Sequence, residues 1–169
     1  MKVDPEFKRQ VLDLMIAGHD ISYCYQCGYC NERCPVHARV GSAYNPRDLV
    51  LLSALGAKDA LLAADPFAVW GCTACETCDE VCPKHVPITE IISLLKNLSI
   101  QAGKAPAYYA NMGTSLLANA MVIPSQKAIE QRREKMGIGP SPPVGAEEVK
   151  KILEKTKLAD VVGKLKGGK

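Results

Sequence analysis

A cysteine-rich run occurs twice in this chain and constrains its fold more than any other feature. The segments CYQCGYCNERCPVH (24–37) and CTACETCDEVCPKH (72–85) share the pattern C-x2-C-x2-C-x3-C-P-x-H, and together they contain all eight Cys of the 169 residues. Two copies that start 48 residues apart indicate duplication of a half-domain, because a solenoid needs at least three repeats. The fold must therefore hold two equivalent cysteine loops.

The rest of the sequence favours metal ligation over disulfide bonds. The first residues, MKVDPEFKRQVLDLM, are charged throughout and lack an apolar run before a cleavage site, so we expect no secretory signal and a cytoplasmic location. Clustered Cys in a reducing cytoplasm more often bind metal than form disulfides. The longest uncharged segment, 105–126, contains Pro106, Gly113 and Asn119, and we expect it to be too polar for a transmembrane helix.

The spacing of the run is the bacterial-type ligand pattern for a [4Fe–4S] cubane. Three thiolates on a tight loop reach one cubane, and the fourth, held beyond a short turn by the following Pro, reaches the other cluster. A zinc site needs only two paired C-x2-C units. It does not explain why both runs carry a third Cys at the same spacing. The pattern therefore predicts two clusters with crossed ligands. The first cluster is expected to use Cys24, Cys27, Cys30 and Cys82, and the second cluster Cys72, Cys75, Cys78 and Cys34.

No motif for a substrate site accompanies the cysteines. We find no G-x-G-x-x-G, P-loop or nucleophile motif, and we predict no catalytic residue. His37 and His85 are expected near the clusters or at the surface but not as ligands, because irons that already hold thiolates need no imidazole. Two redox centres without a substrate site indicate an electron carrier. The aromatic residues that we expect to shield the clusters are Tyr23, Tyr25, Tyr29 and Trp70.

Helix signals surround the runs and predict an all-α fold. Asp4-Pro5 and Asn45-Pro46 combine an N-cap with proline in the first turn. The helices that they begin are expected to end at Gly18 and Gly56. Further helices are predicted over 58–64, 87–103, 106–121, 125–136 and 146–157, and the tail 158–169 is expected to be frayed.

Composition divides the chain into three predicted parts. Residues 1–136 are expected to form the cluster domain with covering helices, 137–145 (GIGPSPPVG) a Pro/Gly linker, and 146–169 a short basic helix and tail. The net charge is −2 over 1–126 and +5 over 127–169. A redox-sensing nucleic-acid binder would gather basic residues on one element, but these charges are mixed in sign, so we predict no nucleic-acid binding.

The chain resembles the C subunit of heterodisulfide reductase, the small iron–sulfur subunit of methanogen-type enzymes. The segments CYQCGYCNERCPV and GCTACETCDEVCPKHVPITEII carry the resemblance, together with the helical insert between them and the helical part after them, and it covers about residues 4–157. The resemblance implies the α-helical ferredoxin fold with a C-terminal helical extension and two [4Fe–4S] clusters. All eight family ligands map onto the Cys named above.

The resemblance also implies partners. In that family, the small iron–sulfur subunit relays electrons from the flavin-containing A subunit to the disulfide-reducing B subunit, which acts on the coenzyme M–coenzyme B disulfide of methanogenesis. Soluble complexes couple this reaction to ferredoxin reduction by electron bifurcation, with hydrogenase or formate dehydrogenase as the electron source. We therefore expect a non-catalytic electron-transfer subunit of an oxidoreductase complex.

Two alternative functions use the same two clusters with different partners. In the first, the chain is the iron–sulfur subunit of another dehydrogenase or reductase complex. In the second, it is a free-standing dicluster ferredoxin. A succinate dehydrogenase iron–sulfur subunit would need a [2Fe–2S] domain before the first run, but only 23 residues precede Cys24. A free-standing ferredoxin would not need the helices after residue 103.

Overall fold

A computed structural model describes residues 2–15, 21–63, 66–142 and 145–167, and no strand occurs in these ranges. The predicted all-α class is confirmed. Of the helices in the described ranges, none combines the length and the apolar composition that a bilayer crossing requires. Among the described residues, two 3₁₀ helices lie at Ile21–Tyr23 and Gly41–Ala43. The α-helices are α1 (Pro5–Leu14), α2 (Tyr29–Glu32), α3 (His37–Val40), α4 (Pro46–Ala54), α5 (Lys58–Ala63), α6 (Phe67–Trp70), α7 (Thr77–Glu80), α8 (Ile88–Gln101), α9 (Ala107–Asn119), α10 (Lys127–Lys135), α11 (Ala146–Lys155) and α12 (Leu158–Gly167).

Side-chain caps fix the starts of α1 and α4 where the sequence predicts them. The Asp4 carboxylate accepts hydrogen bonds from the backbone N–H groups of Glu6 and Phe7 at 3.0 and 3.2 Å. The Asn45 side-chain oxygen accepts one from the Asp48 N–H at 3.0 Å. These bonds satisfy N–H groups that have no partner inside the first turn of a helix.

Gly56 joins the region after α4 to the start of α1. The Asp4 N–H donates to the Gly56 carbonyl at 2.8 Å, and a Cβ on Gly56 would lie 2.3 Å from the Asp4 carbonyl oxygen. Its φ of 68° adds a second reason for glycine at this position. The helix before it ends at Ala54, and α1 ends at Leu14. The predicted end of α1, Gly18, lies outside the described residues.

Helix α8 lies at the centre of the hydrophobic core. Ile91, Ile92 and Leu95 are fully buried on it, and it packs against α1 and α4. Its first turn carries two neighbouring residues, Ile88 and Thr89, which line two different cavities. One rigid helix therefore supports both cysteine sites.

Contacts divide the chain into two compact units, Met1–Pro106 and Ala107–Lys169. Within the second unit α12 packs against α9, where a Cβ on Gly113 would lie 2.5 Å from Val162 Cγ2. The expectation that residues 158–169 are frayed is wrong, because most of this segment forms α12 and buries Val162. The predicted three-part domain organisation stays a prediction.

The described part of the predicted linker is tied to α10. The Glu130 carboxylate accepts hydrogen bonds from the hydroxyl groups of Ser125 and Ser141, and Arg133 Nε donates to the Gly139 carbonyl at 3.1 Å. The serine hydrogen bonds lower the pKa of Glu130 to about 2. The segment after α10 is therefore anchored at its start.

Candidate iron–sulfur centres

Two cavities in the first unit are each lined by four cysteines. The first cavity measures about 340 Å³ and the second cavity about 270 Å³, counting space that is open to solvent. In each set, three cysteines come from one run and the fourth comes from the other run. The first cavity is lined by Cys24, Cys27, Cys30 and Cys82, and the second cavity by Cys72, Cys75, Cys78 and Cys34.

The two runs bend at equivalent positions. Gln26 and Gly28 in the first run have φ of 56° and 90°, and Ala74 and Glu76 in the second have 53° and 60°. A left-handed conformation costs a residue other than glycine about 1–3 kcal/mol, so it persists only where the surrounding structure enforces it. This repeated turn places the first three cysteines of each run around one cavity.

Burial differs among the cysteines of each cavity. Cys30 and Cys78 are 8% and 9% exposed, whereas Cys27 and Cys75 are exposed. Burial raises the pKa of the Cys30 thiol to about 11 and that of the Cys78 thiol to about 12. Because metal ligation needs thiolates, cluster binding must displace protons from these buried groups. Hydrogen bonds from Thr77 lower the pKa of the exposed Cys75 thiol.

Hydrogen-bond donors reach cysteine sulfurs in both cavities. Three of the four contacts below come from backbone N–H groups and one from a glutamine side chain. They are Gln26 Nε2 to Cys24 and Val86 N–H to Cys82, both 3.3 Å, in the first cavity, and Ala74 N–H to Cys72 and His37 N–H to Cys34, both 3.4 Å, in the second.

The second cavity adds two threonine hydroxyl groups. Thr77 Oγ1 lies 3.5 Å from Cys75 Sγ, and Thr89 Oγ1 lies 3.5 Å from Cys78 Sγ. Tyr44 also lines this cavity and is 1% exposed. Burial, and then a hydrogen bond toward Cys72, raises the pKa of Tyr44 far above its ordinary value.

The donor set fits an iron–sulfur cluster in each cavity. Four thiol groups per cavity supply one ligand for each iron of a cubane, and the donors offset the negative charge of thiolate sulfurs. No group of three or more His, Cys, Asp or Glu in the described ranges could hold a single metal ion. A cubane does not require such a group, because each thiolate binds a different iron.

The other predicted site residues have mixed outcomes. The ring Nδ1 of His37 lies 2.7 Å from the Tyr44 carbonyl oxygen, whereas His85 is exposed. Tyr25 and Tyr29 line the first cavity but are 71% and 57% exposed, so their shielding of that cavity is partial. Neither Tyr23 nor Trp70 is among the residues that line the two cavities.

The sequence reasoning missed the hydroxyl groups beside the sulfurs. Thr77 stands between two cysteines of the run, so its proximity to sulfur could have been inferred from position alone. Thr89 lies outside the run, on α8, and Tyr44 precedes α4. Only the packing of these helices brings the last two side chains to the second cavity.

The all-α fold and the cysteine-lined cavities define the chain as a helical iron–sulfur protein. Residues 20–86 match the model of a family described as a 4Fe-4S dicluster domain. This range contains all eight cysteines and also Tyr44, and it ends three positions before Thr89. The family match therefore covers both cysteine runs and the segment between them.

Relatives match over nearly the whole chain. The C subunit of the H(2):CoB–CoM heterodisulfide, ferredoxin reductase of Methanothermobacter thermautotrophicus is 32% identical, with 95% of this chain and 87% of the relative covered. The second iron–sulfur C subunit of CoB–CoM heterodisulfide reductase from Methanocaldococcus jannaschii is 31% identical, with 95% and 90% covered. A protein from Archaeoglobus profundus that is described as like the C subunit of heterodisulfide reductase is 29% identical, with 94% and 86% covered. This chain belongs to the family of heterodisulfide reductase C subunits.

Proposed function

We propose that this chain binds two [4Fe–4S] clusters with crossed ligands and relays electrons between two other subunits of a heterodisulfide reductase complex. The observation that carries the proposal is the lining of the cavities. Each cavity combines three cysteines of one run with the fourth cysteine of the other, as the crossed ligand pattern requires.

The surroundings of the clusters suit a relay. A cluster accepts and donates one electron without forming or breaking a bond, so the chain needs no substrate site. Cys27 in the first cavity and Cys75 in the second are exposed. Each cluster would therefore have one ligand at the surface, where the redox group of a partner can approach it.

The names of the relatives suggest what the relay serves. They contain the CoB–CoM heterodisulfide, ferredoxin and H(2). We propose that electrons pass from the flavin-containing subunit through both clusters to the disulfide-reducing subunit, which acts on that disulfide. Reduction of one disulfide to two thiols takes two electrons and two protons, so the relay must operate twice per turnover. Electron bifurcation, with hydrogenase or formate dehydrogenase as the electron source, is part of the same proposal.

We propose that the second unit supplies a surface for one of these partners. Helix α11 is amphipathic, and its Ile152 is 59% exposed. A helix of ten residues has little stability by itself in water, and α11 gains part of its stability from packing against α9 and α12. Ile152 stays outside this packing and is free to contact a partner. We propose that the exposed face of α11 lies on the disulfide-reducing subunit.

Anoxic affinity purification of the tagged chain from its native cells tests the proposed function. We expect the flavin-containing and the disulfide-reducing subunits to co-purify, with about eight irons in this chain. The substitution Ile152→Glu should weaken capture of the disulfide-reducing partner about tenfold and leave the iron content unchanged. Ala159→Glu, at an exposed position of α12, is the matched control. Purification of this chain alone, or without iron, would contradict the proposal.

A further inference from the structure

The second cavity contains a buried hydroxyl group close to a cysteine sulfur. Thr89 is 8% exposed, and its Oγ1 lies 3.5 Å from Cys78 Sγ. The equivalent position in the first repeat is Arg47, in the first turn of α4, which lines the first cavity and has no hydroxyl group. The Arg47 N–H donates to Asn31 Oδ1 at 3.0 Å, as the Thr89 N–H donates to Asp79 Oδ1 at 2.9 Å. The repeat therefore offers this hydroxyl contact to one cavity and not to the other.

The direction of this hydrogen bond follows from ligation. A cysteine that binds iron has lost its proton, so only the threonine hydroxyl can donate. Because Thr89 is buried, water does not compete for its proton, and the bond acts in a medium of low dielectric constant. A donor to a cysteine sulfur stabilises the reduced cluster, which carries one more negative charge, more than the oxidised one.

A carboxylate with the opposite effect lies at the same sulfur. Asp79 Oδ1 is 3.6 Å from Cys78 Sγ, and it also accepts a hydrogen bond from the Thr89 N–H at 2.9 Å. This bond fixes the start of α8 relative to α7 and so holds the Thr89 hydroxyl in place. The negative charge of Asp79 favours the oxidised cluster, so the two side chains act on one ligand with opposite signs.

We propose that Thr89 sets the reduction potential of the second cluster by donating a hydrogen bond to Cys78. The hydroxyl raises this potential and partly offsets the effect of Asp79. Thr77 makes a weaker version of the same contact, because its sulfur partner Cys75 is exposed to water. The inference rests on the proposed function only in requiring that the second cluster is present.

Redox titration of the purified, cluster-loaded chain tests the proposal. Dithionite, which is itself oxidised to sulfite, supplies one electron to each cluster. No bond of the cluster forms or breaks, and electron paramagnetic resonance (EPR) records the reduced fraction of each cluster. Thr89→Val keeps the shape and removes the hydroxyl group, and we expect the equilibrium for reduction of the second cluster to fall about tenfold, or about 59 mV for one electron. Thr89→Ser keeps the hydroxyl group and should restore most of the potential. Asp79→Asn should move the potential in the opposite direction.

Two comparisons separate tuning from packing. Thr77→Val should give a smaller decrease, and Thr114→Val, whose hydroxyl bonds to the Ala110 carbonyl at 2.8 Å, should change neither potential. If Thr89→Val reduces cluster loading, Thr89→Ala gives the same test with a smaller side chain.

An unchanged second potential in the loaded Val or Ala variant would overturn the inference. Loss of the second cluster from both variants but not from Thr89→Ser would also overturn it, since the hydroxyl would then serve assembly and not the potential. Iron content in every variant distinguishes these outcomes from failure of the proposed function, which predicts about eight irons in the unaltered chain.

Discussion

Between the first three cysteines of the first run stand two tyrosines, a glutamine and a glycine, whereas the second run has two threonines, an alanine and a glutamate at the same positions. The bends of the backbone are the same in both runs. At the first cavity, Tyr25 is 71% exposed and the Lys84 ammonium lies 4.4 Å from the centre of its ring. At the second, Glu76 is exposed. The repeat therefore preserves the ligand frame, while the residues between the cysteines give each site its own surface.

The same comparison predicts different electrostatics at the two clusters. Between its four cysteines the first run carries Glu32 and Arg33, whose charges cancel, whereas the second carries Glu76, Asp79 and Glu80 between its cysteines. Anionic neighbours favour the oxidised cluster, which is less negative. We therefore expect the second cluster to have the lower potential, with the Thr89 hydroxyl reducing the difference.

Removal of the clusters should have the largest effect on the structure, and it should affect the two cysteine sites equally. The proposed ligands tie residue 24 to residue 82 and residue 34 to residue 72, which closes long loops that the helical core alone must otherwise close. We expect residues 20–86 to lose their protection in hydrogen exchange after anoxic iron chelation. Both sites should open together, because each uses both runs.

Residues 107–167 contain no Cys and provide the internal reference for that exchange measurement. They should change much less than residues 20–86 when the iron is removed. An apoprotein that keeps slow exchange in α2 or α7, or that opens at only one site, would contradict the shared ligation.

A substitution at Gly71 should have a smaller effect, and it should disturb the second cysteine site more than the first. A Cβ on Gly71 would lie 2.9 Å from Tyr44 Cδ2 and 3.0 Å from the Phe67 carbonyl oxygen, and Tyr44 lines the second cavity. Gly71→Ala should destabilise the loaded protein by about 1–3 kcal/mol and speed loss of the second cluster. Thermal unfolding and iron release to a chelator measure both effects.

The control for this substitution is Gly163→Ala on α12. No atom of the described residues lies within 4 Å of a Cβ at this position, and alanine is favoured over glycine within a helix by about 0.5–1 kcal/mol. We expect a slight stabilisation without faster iron release. Equal loss of both clusters from Gly71→Ala would show that the two sites are not separable in this way.

The smallest effect should come from a surface charge. Glu76→Gln removes an exposed carboxylate between two cysteines of the second run, and it should raise the potential of the second cluster by less than about 59 mV. The shift should shrink at high salt, because exposed charges are screened. Redox titration of this variant beside Glu154→Gln, which lies in the unit without Cys, measures it. A potential that does not move at low salt would remove the electrostatic part of the comparison.

Local signals predicted much of the fold. The caps at Asp4 and Asn45 are hydrogen bonds between residues two or three positions apart, so the local sequence predicts them. Helix α12 was missed for a physical reason. Leu158, Val162 and Leu165 have helical spacing, but a short helix containing Gly163 is marginal alone. Its stability comes from packing against α9, which no local pattern reports.

Some residues of the candidate sites could likewise be predicted from the local sequence, and others could not. The cysteine sets follow from spacing, because the ligand pattern itself requires two crossed groups. The contacts of Thr89 and Tyr44 do not, since Thr89 reaches the second cavity through the placement of α8 and Tyr44 comes from the segment between the two runs. The tyrosines of the first run were expected to shield a cluster, but their exposure depends on a surface that the sequence does not describe.

Crossed ligation, in which each fourth cysteine binds the cluster of the other run, is tested most directly by EPR of four single variants in the reduced state. Each should lose about four irons and leave one cluster signal. Cys82→Ala should leave the same signal as Cys27→Ala, and Cys34→Ala the same signal as Cys75→Ala. If Cys82→Ala instead leaves the signal of Cys75→Ala, each run binds its own cluster, and the crossed account is contradicted.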